Sequence, residues 1–587
     1  MLTDLSAEEL LHIVEDSMGS SPMPYLADQA VRQRALEIAR NQGLFERIER
    51  ELTPAGPVPI LPYTRFRDYR RDGNRTRYQA LLGWRGGQIG LAAMGCYLGL
   101  DYADYLQDLL WAECEATTWV VPAHEDPDRP VDLRAAGCGE QYAMIVTLLA
   151  DQLADEVRRR VVSEVRRRVL DPFLQPQWEH WWKTTTNNWN AVCHACTCIA
   201  AMLLEEDAAR LASILIQSLE NLEAFVAGFT SDGGCTEGPS YWRYGFGHFA
   251  HLGAALHDFT GGRVRIMRGE KIERVCRYPL AVFVAPGQEL EFADAHGGFL
   301  PVATATEINR LVRVPELFGL CEIGDGGWPL VRTLQDLLVY DGRQHAPWHG
   351  VRDDYLPDLG VVRIRNGPVT LGAKAGHNAE HHNHNDVGSF VVHRGRTFFL
   401  CDPGAPIYSR DTFSPRRYES VFCNSFGHSV PVVDGGRQSA GEQYAGTMSV
   451  ERLNEEGDKA VRIELHAAYD VPALRRLSRT IELRDAGRAV TLADDFVFDQ
   501  APGELEEAFV TYLPADVLEG AAAVRIRSEA DGVAELTAER TQGAFRVAEL
   551  ADESARECRH GGLLRRITFT PAARSDRMTL RFVLRWL

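Results

Sequence analysis

The periodicity of the apolar residues changes once along this chain, and that change limits what it can fold into. As far as about residue 340 they recur at three and four, as Val146, Leu149 and Leu153 do in QYAMIVTLLADQLADEVRRRV, the spacing of one helix face. Candidate helices cover 5–17, 27–50, 86–98, 102–116, 140–170, 188–204, 207–228 and 241–258, joined by turns such as HEDPDRPVD and TSDGG. Helices following one another on short turns predict antiparallel hairpins packed side by side, in a bundle or a toroid of helical pairs. The repeated EVRRRV at 156–161 and 164–169 reads as charge on a solvated helix face.

The segment DGRQHAPWHGVRDDYLPD, 341–358, is rich in Pro, Gly and charge, and beyond it the period falls to two. GVVRIRN, VTLGAKAG, GSFVVHRG, KAVRIELHAAY, AVTLADDFVFD and MTLRFVLRWL alternate or run apolar over strand lengths between turn residues. The expected fold class is α+β and multidomain: a helical domain over 1–345, then an antiparallel β-sandwich over 346–587.

Composition narrows the function classes. The 587 residues, 45% hydrophobic and 25% charged, exclude disorder, collagen and a small disulfide scaffold. The length suits roughly two to four folding units. The balance of 63 Lys+Arg against 82 Asp+Glu, a net charge of −19, argues against nonspecific attraction to nucleic acid or an anionic membrane, though not against an anionic substrate in a local basic cleft. Twelve Cys at irregular spacings read as buried reduced thiols. Cys193, Cys196 and Cys198 come closest to a metal motif, but no second CxxC follows, so they read as small side chains of a core helix. The start, MLTDLSAEELLHIVEDSM, is acidic and helical where a secretory signal needs a basic start and an apolar run. No apolar stretch reaches about 18 residues, so the expectation is a cytoplasmic protein with no membrane span.

Chemistry is concentrated in three clusters. The densest is His377-Asn378-Ala379-Glu380-His381-His382-Asn383-His384-Asn385-Asp386, with four of the 18 His in eight positions, a density that favours metal binding or proton transfer over a solvated loop. Downstream, at strand ends, stand Asp402 in FFLCDPGAP and His428 in SFGHSVPVVDG. On adjacent strands His384, Asp402 and His428 could give two imidazoles and a carboxylate to one divalent cation. In the helical half, Thr186-Asn187-Asn188-Trp189-Asn190 opens an apolar helix. Capping accounts for one Asn; the others could hydrogen-bond a sugar carboxylate or hydroxyls while Trp189 stacks on the ring, with a packed loop as the alternative. The third cluster, Ser231 to Gly245 (SDGGCTEGPSYWRYG), enters a helix through Pro239 and sets Tyr241 and Tyr244 three apart on one helical face.

Together, NNWNAV, DGGCTEGPSYWRYG, HHNHNDVGSFVV, FFLCDPG and TFSPRRYES resemble the heparinase II/III-like polysaccharide lyases, over roughly 180–435. The resemblance implies an N-terminal (α/α) toroid followed by antiparallel β-sheet layers, and β-elimination on uronic-acid-containing glycans of glycosaminoglycan or alginate type. The uronate C5 proton is poorly acidic until its carboxylate is neutralised; the resemblance puts Asn188 and His382 in that role, with Asn190, Arg416 and Arg417 assisting. It implies a tyrosine as base and acid, Tyr244 ahead of Tyr241; the clusters themselves add Trp189, Glu237 and Trp242 as candidate substrate contacts. It assigns one divalent metal to His384, Asp402 and His428, zinc ahead of manganese or calcium, in a structural role. The partner expected is an anionic uronate oligosaccharide or polysaccharide; neither nucleic acid nor a membrane is expected, and a homodimer is allowed. The chain departs from many relatives in having Trp189 where they carry His directly after the Asn pair.

Two other readings stand beside this one. A glycoside hydrolase on a helical toroid needs two carboxylates across the scissile bond, for which Glu237 and Asp232 are the candidates. A metal-stabilised glycan-binding protein would use Trp189, Tyr241, Trp242 and Tyr244 as its sugar platform.

Overall fold

The computed structural model describes residues 1–587 apart from 1, 3, 53, 55, 127, 128, 326 and 346–351. The chain forms two compact units, Met1–Gly228 with Trp242–Cys276 and Leu300–Pro347, and Phe229–Tyr241 with Arg277–Phe299 and Trp348–Leu587. Two segments of the helical half, 229–241 and 277–299, thus belong with the β half, which a single cut at 345 does not anticipate. The cut itself falls beside 346–351, outside the described residues.

The first unit is helical. Its longer helices are α1 (Ala7–Ser17), α2 (Gln29–Asn41), α3 (Leu44–Glu51), α4 (Thr76–Tyr97), α5 (Ala103–Glu115), α6 (Leu133–Leu148), α7 (Asp155–Val165), α8 (Asn188–Leu204), α9 (Ala208–Ala227), α10 (Gly247–Phe259) and α11 (Val302–Val312). The helix expected over 27–50 is two, because Gly43 takes a left-handed φ of 62° that ends one and starts the next. The helix expected over 140–170 begins earlier, where Asp132 caps the Ala135 amide at 2.8 Å, and stops at Leu148 before α7. Helix α8 is predominantly apolar and buried almost throughout, so it is a central helix of its unit. Residues 241–258 are not one α-helix: a π-helical turn, Trp242–Phe246, precedes α10. Among the described residues no helix is long and apolar enough to cross a membrane.

The second unit holds, among the described residues, antiparallel sheets of nine, five, four and two strands. The five-stranded sheet includes Val369–Lys374 and Phe390–Arg394; Gly376–Asn378, between them in sequence, pairs instead with Gly441–Glu451 at the edge of the nine-stranded sheet. The His-rich stretch therefore lies where the chain passes from one sheet to another. The sheets bury a common core that includes Leu371, Val392, Ile463, Ile481, Phe509 and Phe582.

One buried cation ties these layers together. Arg479 faces its cross-strand partner Asp494, which it binds at 2.7 Å, and reaches Glu507 on another sheet at 2.9 Å. It also donates to the carbonyls of Gly388 and Ser429, at 2.8 and 2.6 Å. These follow the His-rich turn and His428, so one guanidinium positions both loops. Truncating it would leave the buried Asp494 carboxylate without its cation, at a cost of about 3–5 kcal/mol.

Candidate functional site

Several segments of the second unit meet at one fully buried carboxylate, Asp294. Its Oδ2 accepts hydrogen bonds from His382 Nδ1 and from the Tyr408 hydroxyl, each at 2.9 Å. Its Oδ1 accepts from His384 Nε2 at 3.0 Å and Arg417 Nη2 at 2.9 Å. Burial alone would raise its pKa, but the bonds from His382 and His384 and the charge of Arg417 hold it well below the usual carboxylate range. The Asp294 amide also donates to the His382 carbonyl at 3.1 Å. His382 and Ala293 both sit at left-handed φ, 57° and 62°, a conformation that costs a non-glycine residue about 1 kcal/mol or more and persists where neighbours enforce it.

Tyr241 lies against this hub. Its ring stacks on that of His382 with centroids 3.8 Å apart and 17° between planes, and its hydroxyl is 2.6 Å from that of Tyr408. Because Tyr408 gives its proton to Asp294, Tyr241 is the donor of the pair. Burial and then the charge of Asp294 push the Tyr241 pKa upward, so it stands here as a phenol. On the other side of His382, Glu237 Oε2 lies 3.5 Å from Nε2. Gly238, at φ 90°, lets the Glu237 loop approach residues 292–293: a Cβ there would lie 3.0 Å from the Phe292 carbonyl. Since Asp294 can only accept, His382 Nδ1 carries a proton, and Nε2 is turned toward the Glu237 carboxylate. The guanidinium of Arg559 lies over the Tyr408 ring, 5.4 Å from its centroid, and is exposed.

Beside the hub, His384, Asp402 and His428 bring ligand atoms within 4.8 Å of one another, all buried. His384 gives its Nε2 proton to Asp294, and its buried Nδ1 has no hydrogen-bond partner. His428 Nε2 faces the Phe422 carbonyl at 3.2 Å, while its Nδ1 stands 3.0 Å from Asp402 Oδ2. Each imidazole thus turns one nitrogen to an oxygen acceptor and the other toward the shared space, the arrangement of metal-ligating histidines. These residues fit a divalent cation. Burial opposes charge on His428, yet Asp402 and Asp386 outweigh it and raise its pKa; burial lowers that of His384. A second grouping, Asp294, His384 and Cys423, shares one of these ligands.

The other residues singled out in the sequence fall differently. Arg417 points inward, to Asp294 and the carbonyls of Asn383 and Thr412, so it holds the loop and is not a free substrate contact. Arg416 is exposed and pairs with Asp411 at 3.3 Å and Glu419 at 2.8 Å. Asp232 serves the turn, accepting from the Gly234, Asp358 and Leu359 amides, which removes it as the second carboxylate of a hydrolase. In the helical unit, Asn190 is fully buried and its Nδ2 donates to the carbonyls of Lys183, Thr185 and Asn221, each at 2.9 Å; it pins the loop and cannot reach a sugar. Asn187 is the helix cap, and Asn188 is buried in the first turn of α8. Trp189 packs against Trp181 and His124. Trp242 is buried, its indole donating to the Val275 carbonyl at 2.9 Å, and offers no sugar platform. Tyr244 is 38% exposed, its ring edge-on to His248. Tyr241 ends a short helical turn and Tyr244 lies in the π turn that follows it, so the α-helical spacing assumed for the pair does not apply.

Sequence reasoning missed Asp294, Tyr408 and Arg559. Asp294 sits in EFADAHGG, inside the half read as helical, where the following Gly pair was the one hint of irregular backbone.

Residues 350–560 match the family model described as Heparinase II/III-like, C-terminal. No curated protein matches the chain by sequence. Among solved structures, the heparan sulfate lyase HepC from Pedobacter heparinus is 13% identical, with 99% of this chain and 88% of that chain covered and a TM-score of 0.58. A structure of heparinase III is 13% identical over 98% and 88% of the two chains, TM-score 0.63. A point mutant of the chondroitin AC lyase from Streptomyces coelicolor A3 is 12% identical over 96% and 82%, TM-score 0.50. At these identities the likeness is one of fold, and the fold is the class expected from the sequence: a helical toroid followed by antiparallel β-sandwich layers.

Proposed function

We propose that this chain is a polysaccharide lyase that cleaves a uronic-acid-containing glycan of glycosaminoglycan type by β-elimination. The observation that carries the reading is the stacked Tyr241–His382 pair anchored on Asp294, in a unit whose sequence matches the Heparinase II/III-like model. The similar solved structures are themselves lyases of heparan sulfate and chondroitin by their descriptions.

Elimination removes the C5 proton, forms the C4–C5 double bond, breaks the C4–O bond and returns a proton to the leaving oxygen. With Nδ1–H on Asp294, His382 Nε2 is the base that takes the C5 proton. Tyr241, held as a phenol, gives its proton to the leaving glycosidic oxygen, and Tyr408, which accepts its hydrogen bond, keeps the hydroxyl oriented. This divides between two residues the acid and base work that the sequence expectation gave to one tyrosine. Arg559, exposed beside Tyr408, is the cation suited to the uronate carboxylate, whose neutralisation acidifies C5. His384, Asp402 and His428 would hold a divalent cation, zinc by the His/carboxylate donor set; when bound it would supply fixed positive charge that orders the loop carrying His382.

The test is ultraviolet absorbance of the conjugated unsaturated uronate during incubation with heparan sulfate, chondroitin and hyaluronan oligosaccharides. A rising signal with one of them is expected; new reducing ends without that absorbance would overturn the reading in favour of hydrolysis.

A further inference from the structure

The helical unit brings together a set of donors that neither the fold nor the proposed reaction requires. Glu140 on α6, Cys196 on α8 and His248 on α10 offer a carboxylate oxygen, a thiol and an imidazole nitrogen within 4.8 Å of one another. The His248 Nδ1 lies 2.7 Å from the Tyr244 carbonyl. A carbonyl can only accept, so that nitrogen carries the proton and Nε2 keeps its lone pair for a ligand. Glu140 is held from behind in the same way: His251 Nε2 is 3.2 Å away, and its Nδ1 is 2.6 Å from Glu307. The thiol of Cys196, fully buried on α8, has the Glu140 carboxylate as hydrogen-bond partner.

We propose that Glu140, Cys196 and His248 form a site for a thiophilic divalent cation, zinc by donor type, within the helical unit. Three arguments support it. First, sulfur, imidazole and carboxylate on three packed helices make a mixed set that selects zinc-like ions over magnesium or calcium, which take oxygen alone. Second, both polar ligands are already oriented by groups behind them, as Tyr244 and His251 do here, whereas an incidental contact needs no such support. Third, Glu140 and His248 are partly exposed while Cys196 is buried, so an ion can enter from the side of the two polar ligands and a water can complete a tetrahedron. On binding, the Cys196 Sγ–H bond breaks, its proton passes to solvent and the thiolate bonds the metal. The two negative ligands then balance the two positive charges. Of the three cysteines on α8 only Cys196 belongs to this set; Cys198 has Ser218 as its side-chain neighbour.

Cobalt(II) reports this site separately from the β unit, because a thiolate ligand gives a sulfur-to-cobalt charge-transfer band that His384, Asp402 and His428 cannot produce. The full chain, freed of metal by chelation and titrated with Co²⁺, should show that band. It should disappear in Cys196→Ser and persist in Cys423→Ser, the other cysteine near a candidate grouping. His248→Gln should weaken cobalt binding at the band at least tenfold and decides the matter if Cys196→Ser does not fold. Absence of the band from the unaltered protein, its survival in Cys196→Ser, or undiminished affinity in His248→Gln would overturn the proposal.

Discussion

The phenol of Tyr241 and the imidazole of His382 stack face to face, with ring centroids 3.8 Å apart. One partner is held as a proton donor by burial and by Asp294; the other has its Nδ1 tied to that same carboxylate. One anion thus touches both rings' surroundings: its charge favours the protonated Tyr241 phenol, and its oxygen fixes the tautomer of His382 through Nδ1.

Tyr241→Phe keeps the stacked ring and removes only the hydroxyl. The expected outcome is a fall in kcat of about 10²–10⁴-fold, the usual worth of a general acid, with KM little changed and a stability loss near 1 kcal/mol from the missing bond to Tyr408. Steady-state kinetics on whichever oligosaccharide responds would measure it. Unchanged kcat in this variant, with a loss in Tyr244→Phe, would return the role to Tyr244.

Asp294→Asn tests the hub. The amide can still accept at one atom, but it no longer compensates Arg417 or fixes His382 Nδ1, and it points donors at groups that are themselves donors. A buried cation left without its partner costs about 3–5 kcal/mol, so a clear drop in the denaturation midpoint should accompany loss of turnover. Retained stability with lost turnover would mean that Asp294 acts on His382 alone.

How much of this was legible in the sequence follows from where each partner lies. The change of hydrophobic period pointed to both fold types, and the density of imidazoles at 377–384 marked the candidate site, because these are local signals. Asp294 was invisible because it sits 88 positions before His382, in a segment that joins the β unit although the chain around it is helical. The π turn that holds Tyr244 was hidden as well, since an α-helical spacing argument cannot see it. Asn190 shared the polar signature of a ligand-binding residue, but three backbone carbonyls of its own unit occupy its amide.

Glu380 carries a pH dependence. Burial pushes its carboxyl up from 4.5 to about 7, with Asp386 adding to the effect and Lys374 opposing it. A carboxyl whose pKa is higher folded than unfolded binds its proton more tightly in the native state, so its contribution is present below the unfolded value and is lost as pH rises toward 7. The shift corresponds to at most about 3 kcal/mol. Denaturant unfolding between pH 4.5 and 7 should therefore show a falling component that Glu380→Gln removes, leaving the variant more stable than the unaltered chain at neutral pH. An identical slope in both proteins would place the carboxyl in solvent contact.

Metal removal discriminates between two accounts of His384, Asp402 and His428. If a cation links them, each Nδ1 is a ligand, and stability must depend on metal concentration: an ion at a hundredfold excess over its Kd adds about 2.7 kcal/mol. If instead His428 is an imidazolium held by Asp402, the same contact survives without metal, and chelation changes nothing at this site. The orphaned Nδ1 of His384 favours the first account, since an imidazolium on His428 would still leave that buried nitrogen without a partner. We therefore expect chelation to lower the midpoint of the β unit by several degrees, zinc to restore it, and His428→Gln to abolish the zinc dependence and reduce bound metal by one equivalent, with the cobalt–thiolate band of the helical unit intact. A His428→Gln variant that keeps its full metal content would show that these residues are a hydrogen-bonded pair and not ligands.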